Sequence, residues 1–266
     1  MEPSFPERII CMTEETTEAL YLMNEQHRIV GISGYTVRPS IARKEKPKIS
    51  AFTSAKIDKI LALEPQLVLG FSDMQADIAA ELIRNGVEVH IFNQRTIPEI
   101  FQMFLTLGSL IGQPEKAQAL IKKLSENVEQ VKASAKLLPR RPKVYFEEWY
   151  EPLICGIGWV SELIQLAGGD DIFQEQAKNG LGKDRIIADP NEVIDRNPDI
   201  IIGSWCGRKF KEEKVVSRDG WQDINAVRSG ELHEIKSADI LQPGPACLTD
   251  GLAQLHQIIK NWSVAG

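Results

Sequence analysis

The chain has 266 residues, 43% of them hydrophobic, so it is long enough for one large domain or two medium ones. Its 37 acidic residues outnumber 31 basic ones, and the net charge of −6 is spread without a basic run, which argues against nucleic-acid or anionic-membrane binding. No apolar stretch approaches the roughly 18 residues of a spanning helix, so no transmembrane segment is expected.

The N-terminus runs directly into the first apolar strand pattern. Residues 1–8 carry neither the basic n-region nor the apolar h-region of a signal peptide. The sequence as it stands therefore predicts a cytoplasmic protein, or a periplasmic one from which a leader has been removed.

Strand and helix patterns alternate through the first half of the chain. Short apolar runs rich in β-branched residues predict strands, and helical patterns lie between them. The predicted strands are Arg8–Cys11, Ile29–Ser33, Leu67–Gly70 and Val87–Phe92. Ser54 is a suitable N-cap for a helix in which Ile57, Ile60 and Leu61 share one face.

The longest helical pattern runs from Pro114 to Leu138, with apolar residues at steps of three and four. A helix of about 25 residues would be roughly 37 Å long. Pro139 and Pro142 end it. The alternation of strand and helix patterns then resumes, with predicted strands at Lys143–Phe146, Ile172–Phe173, Ile200–Ile202 and Leu232–Ile235.

These patterns predict an α/β protein of two Rossmann-like lobes, residues 1–112 and 139–266, joined by one long backbone helix at 113–138. Balanced strand counts on the two sides favour this over a single large α/β domain with the helix as an ordinary crossover. Ligands of open α/β sheets lie beyond the carboxyl ends of the strands. Two such sheets facing each other would form one shared cleft.

Residues that follow the predicted strands are rich in aromatic side chains. They are Tyr35, Phe52, Phe71, Trp149, Tyr150, Trp159 and Trp205. Flat rings provide large contact areas at low entropic cost, and nearby glycines such as Gly70 and Gly203 would let a ligand approach the main chain. The alternative is that several of these rings belong to the core. Polar neighbours on both sides of Trp149 predict a loop there.

Catalytic and cofactor motifs are absent from the sequence. It contains no nucleophile elbow, phosphate-binding loop, dinucleotide fingerprint or zinc-protease motif. We therefore predict no catalytic residue, no resident cofactor and no metal site. A hydrolase or lyase that uses Glu147 or Glu148 as general acid and base remains an alternative, although a solvated loop is the favoured interpretation.

Four cysteines leave a second alternative open. They are Cys11, Cys155, Cys206 and Cys247, and no two are close enough for a C-x-x-C motif. Free thiols are expected. If all four faced the cleft, they could hold a soft metal or a metal-centred ligand.

Five segments together resemble a known family. They are residues 8–20, 29–33, 57–70, 159–173 and 197–202. The resemblance covers nearly the whole chain and is to the helical-backbone class (class III) of ABC-transporter periplasmic substrate-binding proteins. Within that class the chain is most similar to the vitamin B12 (cobalamin)-binding proteins.

The resemblance implies a solute-binding protein rather than an enzyme, with cobalamin or another corrinoid held in the cleft between the lobes. It places Tyr35, Phe52 and Phe71 where the family has aromatic corrin contacts, and Asp239 near a late ligand-contacting acid. Cys206 and Gln242 complete the predicted ligand contacts.

The resemblance further implies docking on the membrane subunits of a transporter through one exposed acid per lobe. Asp77 matches the first position, and Glu212 is the candidate in the second lobe, with Glu213 as its neighbour.

A ferric siderophore or haem is the alternative ligand, since arginines and lysines in a cleft would meet anionic groups. The candidate cations are Arg38, Arg43, Arg185, Arg208 and Lys209.

Overall fold

A computed structural model describes residues 4–265, in which the chain forms two compact α/β units. The first unit comprises the chain up to Gln94 together with Pro98–Lys123, and the second comprises Arg95–Ile97 and the chain from Leu124 onward. A single helix, Pro114–Ala135, carries the chain from the first unit to the second. The predicted α/β class, with two lobes joined by one long helix, is confirmed.

The first unit contains a five-stranded parallel sheet in the order β3-β2-β1-β4-β5. Its strands are β1 (Ile9–Cys11), β2 (Ile29–Ser33), β3 (Lys48–Ser50), β4 (Leu67–Phe71) and β5 (Val89–Phe92). The inner strands β1 and β4 are buried along their whole length, which explains their continuous apolar sequences. Because every pair is parallel, the carboxyl ends of all five strands lie at the same edge of the sheet.

Six helices accompany this part of the chain. They are α1 (Glu14–Leu22), α2 (Ala42–Glu45), α3 (Ile57–Leu61), α4 (Ala76–Arg84), α5 (Ile97–Leu110) and α6 (Pro114–Ala135). Strand β3 was not predicted, because Ile49 is its only apolar residue and Lys46 and Pro47 directly precede it. The prediction of Ser54 as N-cap was wrong, since α3 follows Lys56 and the Ser54 carbonyl accepts from Ala51 N at 2.7 Å.

The second unit contains a sheet in the order β10-β9-β6-β7, and β8 also pairs with β6. Its strands are β6 (Lys143–Tyr150), β7 (Leu153–Cys155), β8 (Asp170–Asp171), β9 (Ile200–Gly203) and β10 (Leu232–Glu234). Strand β7 is antiparallel to β6, whereas β8, β9 and β10 run parallel within the sheet.

Two strand predictions in this unit need correction. The predicted loop at 147–151 was wrong, because β6 continues to Tyr150 and pairs there with Leu153 of β7. The predicted strand at Ile172–Phe173 lies two residues too late, since β8 is Asp170–Asp171. Phe173 instead packs edge-on against Tyr145 in the core, with ring centroids 5.6 Å apart.

Seven helices complete the second unit. They are α7 (Gly158–Ala167), α8 (Gln174–Ala177), α9 (Asn191–Arg196), α10 (Glu212–Val216), α11 (Asn225–Ser229), α12 (Ser237–Ile240) and α13 (Leu252–Val264). A π-helical turn, Cys247–Gly251, precedes α13. The Leu248 carbonyl in this turn accepts from Asn127 Nδ2 of α6 at 2.7 Å, so the irregular backbone keeps a partner. Among residues 4–265, no helix combines the length and apolarity needed to cross a membrane.

Candidate functional site

Strand β6 carries a buried acid, Glu147, which is inaccessible to solvent. Arg218 donates to both of its carboxylate oxygens, at 2.6 and 2.9 Å. The indole N–H of Trp205 donates at 2.9 Å, and the Tyr145 hydroxyl donates at 3.2 Å. Burial and the nearby Glu147 charge raise the pKa of Tyr145 well above its ordinary value, which keeps that hydroxyl a donor. Four donated hydrogen bonds therefore fix the position of the Glu147 carboxylate.

The next residue, Glu148, is held in the same way by a second arginine. The buried Arg185 donates from Nη1 and Nη2 to the two carboxylate oxygens at 2.6 and 3.1 Å, and it also contacts the Cys155 carbonyl. A bidentate arginine pair is among the strongest hydrogen-bonded arrangements in proteins. A general acid or base needs a carboxyl that can exchange its proton with a substrate. Both carboxylates are instead engaged with guanidinium groups.

Beyond these acids, four rings form a continuous series that we call the aromatic row: Trp149, Tyr150, Trp205 and Phe210. Neighbouring centroids are 5.0, 4.4 and 5.1 Å apart along that order. Trp205 and Phe210 are buried, whereas Trp149 and Tyr150 are half-buried and present part of each ring to solvent. The row is thus anchored in the core at one end and accessible at the other.

Two exposed cations lie over the accessible end of the aromatic row. Arg208 lies 5.7 Å from the Trp149 ring centroid and donates to the Tyr150 hydroxyl at 3.0 Å. Lys214 Nζ lies 4.1 Å from the Tyr150 centroid. Cations over aromatic faces are attracted by the ring quadrupole. The exposed rings are therefore bordered by positive charge.

In the first unit, apolar side chains are exposed after three parallel strands at their common edge. Tyr35 follows β2 with 58% of its surface exposed, and Met74 follows β4 with 55% exposed. Phe52, after β3, is half-buried. Phe71, at the end of β4, is only 6% exposed and belongs to the interior.

The side chain of Gln75 forms hydrogen bonds to the chain at the ends of β3 and β4. Its side-chain oxygen accepts from Phe71 N at 3.0 Å, and its Nε2 donates to the Phe52 carbonyl at 2.9 Å. The preceding Ser72 has a φ of 63°, a left-handed conformation that is uncommon for a residue with a side chain. This edge of the first sheet is therefore held by buried hydrogen bonds rather than by a mobile loop.

Three buried glutamates occupy the start of α1, directly after β1: Glu14, Glu15 and Glu18. Burial, followed by the charges of Glu15 and Glu18, raises the pKa of Glu14 to about 8. Burial also raises the pKa of Glu15 to about 7, although its carboxylate accepts from the Thr13 hydroxyl at 2.6 Å. Arg38 donates to Glu18 at 2.9 Å. Glu14 is therefore mostly neutral at pH 7.

The predicted ligand contacts fall into different surroundings. Trp149, Tyr150 and Trp205 do lie together, within the aromatic row. Trp159 is only 3% exposed, and its indole donates to the Ile240 carbonyl at 3.0 Å, so it is a satisfied core residue.

Three further predicted contacts are at least partly accessible. Asp239 and Gln242 are half-buried, and Asp239 accepts from Gln254 Nε2 at 3.2 Å. Cys206 is exposed, in the turn after β9.

Gly203 does not provide the predicted approach for a ligand. A Cβ at this position would lie 1.9 Å from the Phe210 ring, so the bare main chain is already covered by a side chain of the same unit. The glycine is required for the aromatic row to pack on β9.

The alternative in which all four cysteines face one site does not fit the structure. Cys11, Cys155 and Cys247 are buried, in β1, β7 and the π-helical turn. Burial raises the pKa of the Cys11 and Cys155 thiols to about 12, whereas metal binding requires the thiolate. Within residues 4–265, no group of three or more histidine, cysteine or acidic side chains could hold a metal ion.

Several residues that shape these surroundings were not among the predicted contacts. Arg218 and Lys214 were missed because they come from α10 and the turn after it, and no local pattern connects them with β6. Glu14 did leave a signal, since three glutamates come directly after an apolar strand pattern.

The predicted docking acids, Asp77 and Glu212, are both exposed. Asp77 lies in the first turn of α4, and Glu212 begins α10. Each unit therefore presents the acid expected of it to solvent.

Two α/β units, each with a mainly parallel sheet and joined by one helix, define a two-lobed solute-binding protein of the class III type. The chain belongs to the periplasmic binding protein family, whose model matches residues 9–238.

Characterised and uncharacterised relatives match nearly the whole chain. One is the uncharacterized ABC transporter substrate-binding lipoprotein YvrC of Bacillus subtilis, 23% identical over 96% of this chain and 80% of that protein. Another is the vitamin B12-binding protein of Vibrio parahaemolyticus, 23% identical over 91% of this chain and 86% of that protein.

Solved structures share the fold at low sequence identity. A possible iron-binding (periplasmic solute-binding) protein from Staphylococcus epidermidis has a TM-score of 0.82, with 22% identity, 96% of this chain and 99% of that chain covered. A periplasmic heme-binding protein from Pseudomonas aeruginosa has a TM-score of 0.82 at 18% identity, covering 96% of this chain and 93% of that chain.

Proposed function

We propose that this protein binds a large, flat metal chelate, foremost cobalamin or another corrinoid, and delivers it for ABC-type uptake or intracellular handling. The observation that carries the proposal is the aromatic row, whose Trp149 and Tyr150 rings are accessible while Trp205 and Phe210 anchor them. The match to a vitamin B12-binding protein over 91% of the chain supports the same ligand class.

Two properties of the aromatic row favour a flat ligand: the apolar area of its rings and their fixed positions before binding. A flat macrocycle that covers two aromatic rings removes a large apolar area from water, and stacked rings add attraction beyond that area. Because Tyr150 already packs on Trp205 at 4.4 Å, little side-chain entropy would be lost on binding. Tyr35 and Phe52 are the accessible aromatic side chains of the first unit.

A haem or ferric siderophore is the second candidate, and the cations beside the row favour it. Arg208 and Lys214 border the accessible rings, and Lys209 and Lys211 are exposed in the same segment. Propionates or catecholates would meet these positive charges. Titration calorimetry with three probes separates the candidates: cyanocobalamin, haemin, and a ferric tris-catecholate.

Tight binding of cyanocobalamin alone is the expected result. Binding of haemin or the ferric chelate alone would replace the corrinoid by the anionic class. If none of the three produced heat, the proposed function would be wrong.

Trp149→Ala tests the role of the aromatic row. Loss of a stacked ring is expected to weaken chelate binding by roughly 2 kcal/mol. Trp262→Ala is the matched control, because Trp262 is also a half-buried indole under a guanidinium, that of Arg140 at 4.3 Å, but lies outside the row. Equal affinity loss in both variants would show that the row has no special part in binding.

We further propose that Asp77 and Glu212 dock the protein on the membrane subunits of a transporter. Their exposed positions in first helical turns support this, since both carboxylates are available to arginines of a partner. Charge reversal at either position should abolish stimulation of transporter ATPase activity and leave chelate affinity unchanged. An unchanged ATPase response in the double variant would contradict the docking proposal.

Catalysis is not part of this proposal. The two carboxylates that an acid-base enzyme would use, Glu147 and Glu148, are each engaged by an arginine. Bound chelate recovered chemically unchanged after long incubation is the expected outcome, and mass spectrometry would detect any converted product.

A further inference from the structure

Among the buried side-chain oxygens of the first unit that have no hydrogen-bond partner in the described residues, three lie at or just after the ends of neighbouring strands. They are Glu14 Oε2, Thr36 Oγ1 and Ser50 Oγ. Glu14 is 7% exposed and Thr36 is fully buried. Their orphaned state is unusual because the large majority of buried polar side-chain atoms are hydrogen-bonded.

The three oxygens share one edge of the first sheet. Glu14 follows β1, Thr36 follows β2, and Ser50 ends β3, and these three strands are adjacent in the order β3-β2-β1. Ser50 pairs in register with Ser33 of β2, three residues before Thr36. The orphaned oxygens thus lie at the carboxyl ends of neighbouring strands, where ligands of such sheets bind.

Neighbouring charged groups do not satisfy Glu14. Arg43 donates to the carbonyls of Gly34 and Thr36, at 2.9 and 2.8 Å, and Arg38 donates to Glu18. The remaining charged neighbours that act on Glu14 are Glu15 and Glu18, which raise its pKa, as burial does. A neutral carboxyl offers one donor and one acceptor.

We propose that Glu14, with the hydroxyls of Thr36 and Ser50, forms a subsite that binds an uncharged carboxamide of the ligand and discriminates against a carboxylate. An amide presents an N–H donor beside a carbonyl acceptor, which complements a neutral carboxyl and two hydroxyls without any net charge. A ligand carboxylate would instead bring a charge into a buried setting whose nearby guanidinium groups are already engaged.

This inference rests on the proposed function and sharpens it. Cobalamin carries peripheral carboxamides, whereas haem carries carboxylates, so the subsite would favour the corrinoid class over the anionic class. It also gives a reason to retain an oxygen that is costly to bury, since a ligand amide would pair with it.

The test compares cyanocobalamin with its monocarboxylates, in each of which one peripheral amide has been hydrolysed to an acid. The wild-type protein should bind at least one of the isomers about 10-fold more weakly than the parent, the change expected for loss of one hydrogen bond of about 1.4 kcal/mol. Glu14→Met should bind the parent about 10-fold more weakly and no longer distinguish that isomer.

The melting temperature of Glu14→Met distinguishes a binding role of Glu14 from a structural one. A structural role predicts a lower melting temperature than that of the wild type, and a binding role predicts a higher one. Replacing an unpaired buried carboxyl by an apolar group of similar shape should raise the melting temperature of Glu14→Met. Glu15→Gln is the matched control, because the Glu15 carboxylate already accepts from Thr13 at 2.6 Å. Its amide discrimination should equal that of the wild type.

The outcomes separate the two proposals. If the wild type binds cyanocobalamin but Glu14→Met binds all compounds as the wild type does, the subsite is wrong and the proposed function stands. A lower melting temperature together with unchanged discrimination would make Glu14 a structural residue. If the wild type binds none of the corrinoids, the proposed function fails and the subsite fails with it.

Discussion

At the carboxyl edge of the second sheet, Glu147 and Glu148 each accept two hydrogen bonds from one guanidinium. At the corresponding edge of the first sheet, Glu14 and Glu15 are both buried, yet no guanidinium among the described residues bonds to either. The pKa values of Glu14 and Glu15 are raised to about 8 and 7.

The difference shows two physical solutions for a buried acid. In the second unit, guanidinium groups replace the water that each carboxylate would otherwise bind, and Glu147 also accepts from Trp205 of the aromatic row. In the first unit the acids reduce the cost of burial by retaining protons. Pairing with arginine uses the hydrogen-bonding capacity of the acid within the protein. Retaining a proton leaves a donor and an acceptor that can bind another molecule.

The largest expected effect comes from breaking the ion pair of the second unit. Arg218→Met leaves Glu147 as a buried charge without its main partner, which should lower the free energy of unfolding by about 3–5 kcal/mol. Urea denaturation of the wild type and the variant measures this difference in the free energy of unfolding. Lys178→Met removes the exposed pair with Glu175 and should change stability by less than about 0.5 kcal/mol. A Glu147→Leu/Arg218→Met double variant that recovered nothing would contradict the ion-pair explanation.

A smaller effect should appear as a pH dependence of the first unit's acids. Folding raises the pKa of Glu14 from 4.5 to about 8, so the folded state binds the extra proton between these values. The stabilising contribution is fully present below pH 4.5 and is lost as the pH rises through 8. Relative to Glu14→Gln, the wild type should lose roughly 3.5 kcal/mol of stability between pH 5 and pH 8.

Thermal unfolding of both proteins across that range isolates Glu14, because other titrating groups are common to both. A stability difference that stayed constant with pH would show that Glu14 does not keep its proton. It would also remove the contrast between the two sheets.

The smallest expected effect concerns one orphaned hydroxyl in each unit, Thr36 and Ser204. Thr36→Val and Ser204→Ala each remove a buried hydroxyl that has no partner, so stability should rise or fall by no more than about 0.5 kcal/mol. Only Thr36→Val should weaken discrimination between cyanocobalamin and its monocarboxylates. Equal effects of the two variants on binding would place the subsite elsewhere.

Much of the fold could be predicted from local patterns. β1, β2, β4 and β9 were recognised because buried parallel strands are short apolar runs. The errors occurred where pairing with a distant segment decided the structure. β6 extends over Glu148 and Trp149 because β7 pairs with it. The local sequence of that polar stretch does not predict the hairpin.

The candidate site was predicted only in part. Trp149, Tyr150 and Trp205 were identified from their positions after strands, and their convergence follows from the parallel pairing of β6 with β9. Trp159 had the same aromatic signal but lies in the core, because its indole has a carbonyl partner on α12. Aromatic character alone does not separate a core ring from a contact ring.

The sequence by itself determined the two-lobed α/β class, the linking helix and the family, because hydrophobic periodicity and local motifs are properties of neighbouring residues. Tertiary structure alone decided which of these acids are paired with a guanidinium group. That depends on whether an arginine distant in sequence reaches the carboxylate, as Arg218 reaches Glu147 across 71 positions and Arg185 reaches Glu148 across 37. For Glu14, where neither Arg38 nor Arg43 bonds the carboxyl, burial instead favours the protonated form.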